Sequence, residues 1–200
     1  MTVKNMTHDQ AAEWIAARLR REGYPFAFAN MTSASHGEQP DVLAMNSYAE
    51  SIVVEVKMSR ADFRADAKKP WRKPGKGVGL KRVYLTPQGL LDPAEVPYGW
   101  LLWEIHGVKR PSLKIIKGKV MRTVDSKWGK TRRFEFAHCD REEYDHFSSG
   151  QYDFREETSW LLKILRRAME DGVEVEKYSN RATMVNAFRS PGKPVASTES

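Results

Sequence analysis

The segment VVEVKMSRADF, residues 53–63, decides the fold because a valine-rich strand pattern runs directly into a helix start. Glu55 and Lys57 alternate with Val54 and Val56, so both charged side chains point to one face of the predicted strand. An isolated buried charge is costly, which requires the pair to be neutralised or to bind an ion. The simplest alternative is an edge strand whose polar face is solvated.

The sequence around this strand predicts an α/β fold. A capping box at Thr7 and Gln10 begins a helix over 8–22, and Ser59 with Asp62 begins a second helix over 60–69. β-branched and aromatic runs predict strands over 24–30, 41–45, 50–58, 82–86, 99–105 and 112–118. We therefore expect a mixed sheet of about five to six strands flanked by helices.

Beyond residue 118 the pattern is weaker. Residues 119–138 could form a basic hairpin, and apolar spacing over 153–172 predicts a C-terminal helix. Residues 181–200 are rich in turn formers and poor in large apolar residues, which predicts a flexible tail. We expect a single domain over 1–180 that includes the C-terminal helix at about 154–171.

Composition limits the class of protein. No apolar run reaches the ~18 residues of a membrane span, and the N-terminus lacks the pattern of a signal peptide. Cys139 is the single cysteine of the sequence, which excludes a disulfide framework and a zinc-finger cluster. We expect a cytoplasmic protein that has no membrane partner.

The charge distribution points to an anionic partner. The net charge is +7, and residues 67–91 contain no Asp or Glu. Pro70, Pro74 and three glycines make the basic part of this segment a loop, in which Trp71 could stack on a base or pack on the core. Six of its side chains are predicted to contact DNA phosphates, namely Lys68, Lys69, Arg72, Lys73, Lys76 and Lys81. A merely soluble basic surface is the alternative.

A second acidic residue is expected beside the opening strand. Asp41 begins the preceding strand, and a hairpin would bring it to Glu55 and Lys57. Two carboxylates near the Val56 carbonyl form a hard oxygen site suited to Mg²⁺ or Mn²⁺. Lys57 beside such a site could orient a water molecule or stabilise a phosphorane-like transition state.

This arrangement resembles the PD-(D/E)XK nuclease superfamily, with Pro40-Asp41 followed by Glu55-Val56-Lys57. The resemblance implies a restriction-endonuclease-like core and a metal-dependent hydrolase that cleaves DNA phosphodiester bonds. A narrower resemblance, over roughly 25–118, is to MmcB-like DNA repair proteins. It implies a role in DNA repair or in phage or bacterial DNA metabolism. The positions that carry it are Glu55, Lys57, Ser59, Asp62, Phe63, Asp66 and Lys68, with Trp71 nearby.

Four residues are candidates for accessory roles. Glu13 could add a metal ligand from the first helix, as the superfamily resemblance implies, and His36 could act as a base or contact a phosphate. Ser59 is expected to cap a helix or contact a phosphate, and Asp62 either to cap or to hold Lys57. Asp66, one turn after Asp62, is interpreted as a surface ion pair with Arg64 or Lys69, and the alternative is that it holds Lys57 or a metal-bound water.

Three functions remain open on the sequence. The first is a nuclease in which Asp41 and Glu55 hold the metal and Lys57 positions water. The second is a non-catalytic DNA-binding module on the same fold. The third is a structural or partner-binding protein whose charge is unrelated to DNA.

Overall fold

The computed structural model describes residues 6–32, 37–73, 75–126 and 129–170. The chain divides into two compact units, residues 1–157 and residues 158–200. The predicted tail at 181–200 lies outside the described residues, and the predicted domain limits stay a prediction.

One seven-stranded mixed sheet forms the centre of the first unit, so the predicted count of five to six strands was too low. The additional strand belongs to the basic hairpin that the sequence only weakly indicates. The strands lie side by side in chain order and are β1 (Phe26–Ala29), β2 (Val42–Met45), β3 (Ser51–Val56), β4 (Lys81–Pro87), β5 (Trp100–His106), β6 (Ser112–Ser126) and β7 (Gly129–Ala137).

The directions of the strands place β3 inside the sheet. β1, β2 and β3 form an antiparallel meander, as predicted for 41–58, and β4 then pairs with β3 in parallel. β5 is parallel to β4, whereas β6 and β7 follow as antiparallel neighbours. Every residue of β3 is buried, so Glu55 does not lie on the solvated edge strand that the simplest alternative required.

Two helices in the first half of the chain flank the site. α1 (His8–Arg21) begins at the predicted Thr7 capping box, and its apolar stripe packs into a core cluster that includes Val54 and Val56. α2 (Arg60–Asp66) is capped by Ser59 and ends three residues before the predicted limit. The extended backbone of Lys69, which precedes Pro70, is the conformation that a following proline favours.

Two further helices follow the sheet, α3 (Arg141–Tyr144) and α4 (Phe154–Glu170). α4 confirms the helix that was predicted over 153–172, although Gly172 lies outside the described residues. Among the helices of the described residues, none has the length and apolar character needed to cross a membrane.

The predicted basic hairpin is present and extends well past the rest of the sheet. β6 pairs with β5 as far as Lys117 and with β7 from Gly118 to Ser126. We name residues 118–126 with 129–137 the β6–β7 ribbon. Both of its strands are largely exposed to solvent.

Candidate active site

The register between β2 and β3 brings Asp41 beside Glu55. Val42 pairs with Val54. Asp41, which precedes Val42, therefore lies beside Glu55, which follows Val54. The Asp41 Oδ2 atom accepts a hydrogen bond from the backbone N–H of Val56 at 2.7 Å. This contact holds the Asp41 carboxylate at the carboxyl end of β3.

The backbone of β3 points its groups alternately to β2 and β4. Lys57 donates its backbone N–H to the Leu85 carbonyl at 2.9 Å, whereas the Val56 N–H faces the Asp41 carboxylate. Because the N–H and C=O of one strand residue point to the same neighbour, the Val56 carbonyl also turns toward the Asp41 side. The two carboxylates and this carbonyl therefore share one region of the sheet.

Glu55 is 1% exposed, and cations contact one of its two carboxylate oxygens. Its Oε2 atom lies 3.0 Å from Lys57 Nζ, 3.2 Å from Arg72 Nη2 and 3.7 Å from Lys69 Nζ. Its Oε1 atom is buried and has no hydrogen-bond partner within the described residues. A buried carboxylate oxygen in that state is costly unless another group completes its coordination.

Lys57 is held between two carboxylates. Its Nζ atom lies 3.0 Å from Glu55 Oε2 and 3.0 Å from Asp66 Oδ1, and the residue is 2% exposed. Burial acts to lower the pKa of Lys57, but the charges of Glu55 and Asp66 outweigh it and leave the pKa raised. The ammonium group is therefore charged and fixed in position.

Asp66 is buried, and its interpretation as a surface ion pair was wrong. Its partners include the predicted Lys69, at 2.9 Å, and also Lys57 and Arg72. Burial acts to raise the pKa of Asp66, but its hydrogen bonds and charge contacts with Arg72, with further help from Lys57 and Lys69, hold it well below the ordinary range. The phenol of Tyr84 also donates to Asp66 Oδ2 at 2.8 Å.

Arg72 links these carboxylates to a further buried acid, Glu38. Its Nε and Nη2 atoms donate to the two oxygens of Asp66 at 2.6 and 2.9 Å, and its Nη1 atom donates to Glu38 Oε1 at 2.7 Å. Burial acts to lower the pKa of Arg72, but the surrounding carboxylates raise it. Burial raises the pKa of Glu38, although Arg72 and the Val78 N–H oppose that effect. We name Glu38, Glu55, Lys57, Asp66, Lys69 and Arg72 the buried charge network.

Aromatic rings form the wall of this network. Tyr84 pairs with Glu55 across β3 and β4 and stacks on Trp100 at a centroid distance of 4.3 Å. The Arg72 guanidinium lies 4.7 Å from the centroid of the Trp100 ring. Such contacts exclude water and hold the planar guanidinium in one orientation.

The loop between α2 and β4 packs closely against this network at Gly77. Gly77 has φ +74°, and an added Cβ atom would lie 2.7 Å from the Trp71 carbonyl and 2.8 Å from Glu38 Oε2. A side chain at this position would collide with both groups, so glycine is required here.

The pKa of Asp41 is shifted in the opposite direction from the pKa of Asp66. Burial and then the nearby charge of Glu55 raise the pKa of Asp41, while His8 and the Val56 N–H oppose the change. The His8 Nε2 atom, at the start of α1, lies 3.2 Å from Asp41 Oδ2. The pKa of Asp41 is therefore raised chiefly because its carboxylate is removed from water.

These donors are compatible with a hard divalent cation. In the described ranges no group of three or more His, Cys, Asp or Glu side chains is arranged to hold a metal ion. The Asp41–Glu55 pair would therefore need the Val56 carbonyl, water or substrate oxygens to complete a coordination shell, as is common for Mg²⁺. The unpaired Oε1 of Glu55 and the raised pKa of Asp41 are features that such a cation would relieve.

Three of the four accessory candidates do not join this region. Glu13 is exposed on α1, and Ser59 and Asp62 form the N-terminal cap of α2 through the Ser59 Oγ atom and the Asp62 N–H. His36 lies outside the described residues. In their place the structure brings His8 and Glu38 to the site, and no spacing in the sequence marks either of them.

The basic loop has two sets of side chains. Lys68, Lys73 and Lys76 are exposed. Arg72 belongs to the buried charge network, as Lys69 does in part, and Lys81 donates to the Tyr144 carbonyl, Asp145 and Ser148. Three of the six side chains are therefore exposed enough to contact phosphates, and the contacts themselves stay a prediction.

The fold and site define an α/β protein whose mixed sheet carries a buried charge network at the carboxyl end of β3. No protein-family model matches the chain, and no curated protein matches it. A solved structure described as the SPO1766 protein of unknown function from Silicibacter pomeroyi aligns with it at 20% identity and a TM-score of 0.42. The alignment covers 81% of this chain and 93% of that chain. A likeness at this level carries no statement about function.

Proposed function

We propose that this protein is a metal-dependent DNA nuclease with a restriction-endonuclease-like core. The observation that carries the proposal is the Asp41 carboxylate, held by the Val56 N–H at the end of β3, with the buried Glu55 beside it and a fixed, charged Lys57 two residues after Glu55. The resemblance of Pro40-Asp41 and Glu55-Val56-Lys57 to the PD-(D/E)XK nuclease motif supports it.

The residues would divide the chemistry among them. Asp41, Glu55 and the Val56 carbonyl would hold Mg²⁺ or Mn²⁺, which supplies charge that activates water and neutralises the phosphate. Lys57 would orient the attacking water or stabilise the negative charge that develops on the phosphorus oxygens. Asp66 holds Lys57 from the other side and is a positioning residue.

A second function is favoured by one specific observation. Glu55 Oε2 is already contacted by Lys57, Lys69 and Arg72, so half of the carboxylate is neutralised by the protein itself. A nuclease core whose acidic site is satisfied internally would be a non-catalytic DNA-binding module. The two proposals differ in whether the Asp41–Glu55 pair binds a metal.

The test combines a cleavage panel with direct metal binding. Wild-type protein is incubated with Mg²⁺, Mn²⁺ or EDTA on single-stranded, duplex, flap and mismatched DNA, beside the Asp41→Asn, Glu55→Gln and Lys57→Met variants. We expect metal-dependent cleavage that each variant reduces by about 100-fold or more, the scale of a lost catalytic group. Glu13→Gln, an exposed carboxylate on α1, is the matched control and should cleave normally.

Calorimetric titration with Mn²⁺ separates the two functions. A nuclease should bind Mn²⁺ in wild type and lose that binding in Asp41→Asn, whatever DNA substrate it prefers. DNA binding without cleavage and without Mn²⁺ binding would identify the non-catalytic module. Equal cleavage by wild type and a correctly folded Asp41→Asn would exclude the assigned site.

A further inference from the structure

The β6–β7 ribbon is a long two-stranded structure at the end of the sheet. Beyond Lys117, β6 pairs with β7, and β7 is the last strand in the sheet order. Exposed apolar side chains stand on it, with Met121 53% and Phe134 60% accessible. An isolated two-stranded ribbon is only marginally stable in water, and exposed aromatic residues indicate a surface that contacts a partner.

The ribbon concentrates the positive charge of the protein. Its residues, 118–126 with 129–137, contain five Lys and Arg against two Asp and Glu, a surplus of +3 in a chain whose net charge is +7. Arg122 lies directly opposite Arg133 in the ladder, whereas the neighbouring Arg132 lies opposite Thr123 on the other face. Like charges that face each other across two strands are unfavourable unless an anion lies between or beside them.

Each face of the ribbon mixes cations with apolar groups. On one face Lys119 and Met121 lie opposite Phe136 and Phe134, and Lys119 Nζ is 4.5 Å from the centroid of the Phe134 ring. On the other face Arg122 forms a 2.9 Å ion pair with Glu135, whereas the opposite Arg133 has no ion pair within the described part of the chain. This pattern suits contact with phosphates together with sugars and base edges.

The dimensions of the ribbon match a groove of duplex DNA. Its nine residue pairs span about 30 Å at a rise of about 3.3 Å each, close to the ~34 Å of one helical turn. The major groove is about 12 Å wide and admits a two-stranded β-ribbon. A single strand of DNA offers no such groove.

We propose that the β6–β7 ribbon binds duplex DNA by lying in its major groove. The inference rests on the proposed function in that it takes nucleic acid as the partner, and it adds that the partner is double-stranded. Met121, Arg132 and Phe134 share one face, which contacts base edges and apolar groove atoms, whereas Arg122 and Arg133 on the other face contact phosphates beside the groove.

A second copy of this chain is a less favourable occupant. Pairing of two β7 edges would bring Lys130, Arg132 and Arg133 of one copy close to the same residues of the other. Basic residues on an edge strand oppose such pairing. The charge complementarity therefore favours the phosphate backbone over a second ribbon.

The test measures duplex binding by fluorescence anisotropy in the Asp41→Asn background without divalent metal. The variant replaces Arg122, Arg132 and Arg133 with Ser, and the control replaces Lys109, Arg110 and Lys114, which are exposed around the β5–β6 turn, in the same way. We expect the ribbon variant to lose at least about tenfold in duplex affinity and to flatten the salt dependence by up to about 2.7 log–log units. The control should lose less, and circular dichroism should show both variants folded.

Two further arms identify the groove and the partner. A duplex whose cytosines carry bulky glucosyl groups in the major groove should bind weakly, whereas netropsin in the minor groove should compete little. An unchanged salt slope in the ribbon variant, or no duplex binding by the parent, would overturn the inference. The inference would also be overturned if sedimentation showed a dimer of the parent protein and a monomer of the ribbon variant. Duplex binding that depends on the ribbon in a protein that cleaves nothing would uphold this inference and reject the nuclease.

Discussion

Glu55 and Asp66 bring two carboxylates into a part of the protein from which water is largely excluded. Each would be costly there alone, and their cost is offset because Lys57 contacts both at 3.0 Å and Arg72 contacts both as well. These contacts explain why Glu55 and Lys57 are tolerated together in the buried strand of residues 53–63. Within the described residues Glu55 Oε1 has no hydrogen-bond partner, and it is the atom that the proposed metal would contact.

Loss of Arg72 should destabilise the protein more than loss of a neighbouring lysine. Arg72→Met removes hydrogen bonds to Asp66 and Glu38 and leaves buried carboxylates without their main partner. We expect a decrease of about 3–5 kcal/mol in the free energy of unfolding. Urea denaturation measures it, and Lys73→Met, at an exposed position of the same loop, should cost little. Equal stability of the two variants would show that the buried charge network contributes nothing measurable.

Asp66 should also make stability depend on acid. Its folded-state pKa lies below the ordinary value of 3.8, so its contribution is fully present above that value and is lost as the pH falls below it. The difference in unfolding free energy between wild type and Asp66→Asn should therefore be largest near neutral pH and shrink below about pH 4. The raised pKa values of Glu38 and Asp41 act in the opposite direction but are common to both proteins.

Urea denaturation between pH 3 and pH 7 measures this difference. Asp62→Asn, an exposed carboxylate on the same helix, is the control and should show little dependence on pH. A stability difference for Asp66→Asn that stays constant across this range would mean that the carboxylate is not held ionised by its partners.

At the scale of elements, the loop between α2 and β4 contains no acidic residue, and carboxylates from other segments of the chain neutralise part of its charge. Glu38 reaches Arg72, and Asp145 reaches Lys81, from opposite directions along the chain. The segment therefore does not repel itself as its own sequence suggests. It leaves Lys68, Lys73 and Lys76 on the surface.

These three lysines should contribute to DNA affinity through salt-dependent contacts. Replacing Lys68, Lys73 and Lys76 together with Ala should flatten the log–log dependence of binding on salt by up to about 2.7 units if all three neutralise phosphates. Lys81→Met is the contrasting variant, because its ammonium is bound within the protein and its loss should lower stability without changing the slope. Anisotropy with a short duplex at several salt concentrations measures both, and an unchanged slope in the triple variant would assign this loop to structure alone.

At the scale of the whole molecule, the sheet separates the candidate chemistry from much of the charge. The carboxylates of the site lie at the end of β3, whereas the β6–β7 ribbon extends from the last two strands of the same sheet. If both proposals hold, one surface grips the duplex and another carries the reaction. This division explains why the net charge alone could not locate the site.

Local pattern was enough to predict several features of this protein. The strand over Ser51–Val56, the Thr7 cap and the contact of Asp41 with β3 depend on near neighbours or on one hairpin, so a period of two or a capping box predicts them. The basic hairpin after Gly118 was indicated weakly, because an exposed ribbon lacks the alternation that a buried face imposes.

The sequence by itself determined the order of α1, α2, α4 and the first six strands and the placement of Asp41 beside the end of β3, because each follows from local periodicity or one short connection. Only the tertiary structure decided that Asp66 and Arg72 are buried and that Glu38 joins them. Whether a charge is buried depends on the distant partners that the connections between strands bring to it. A helical spacing predicts an ion pair but does not distinguish a surface pair from a buried one.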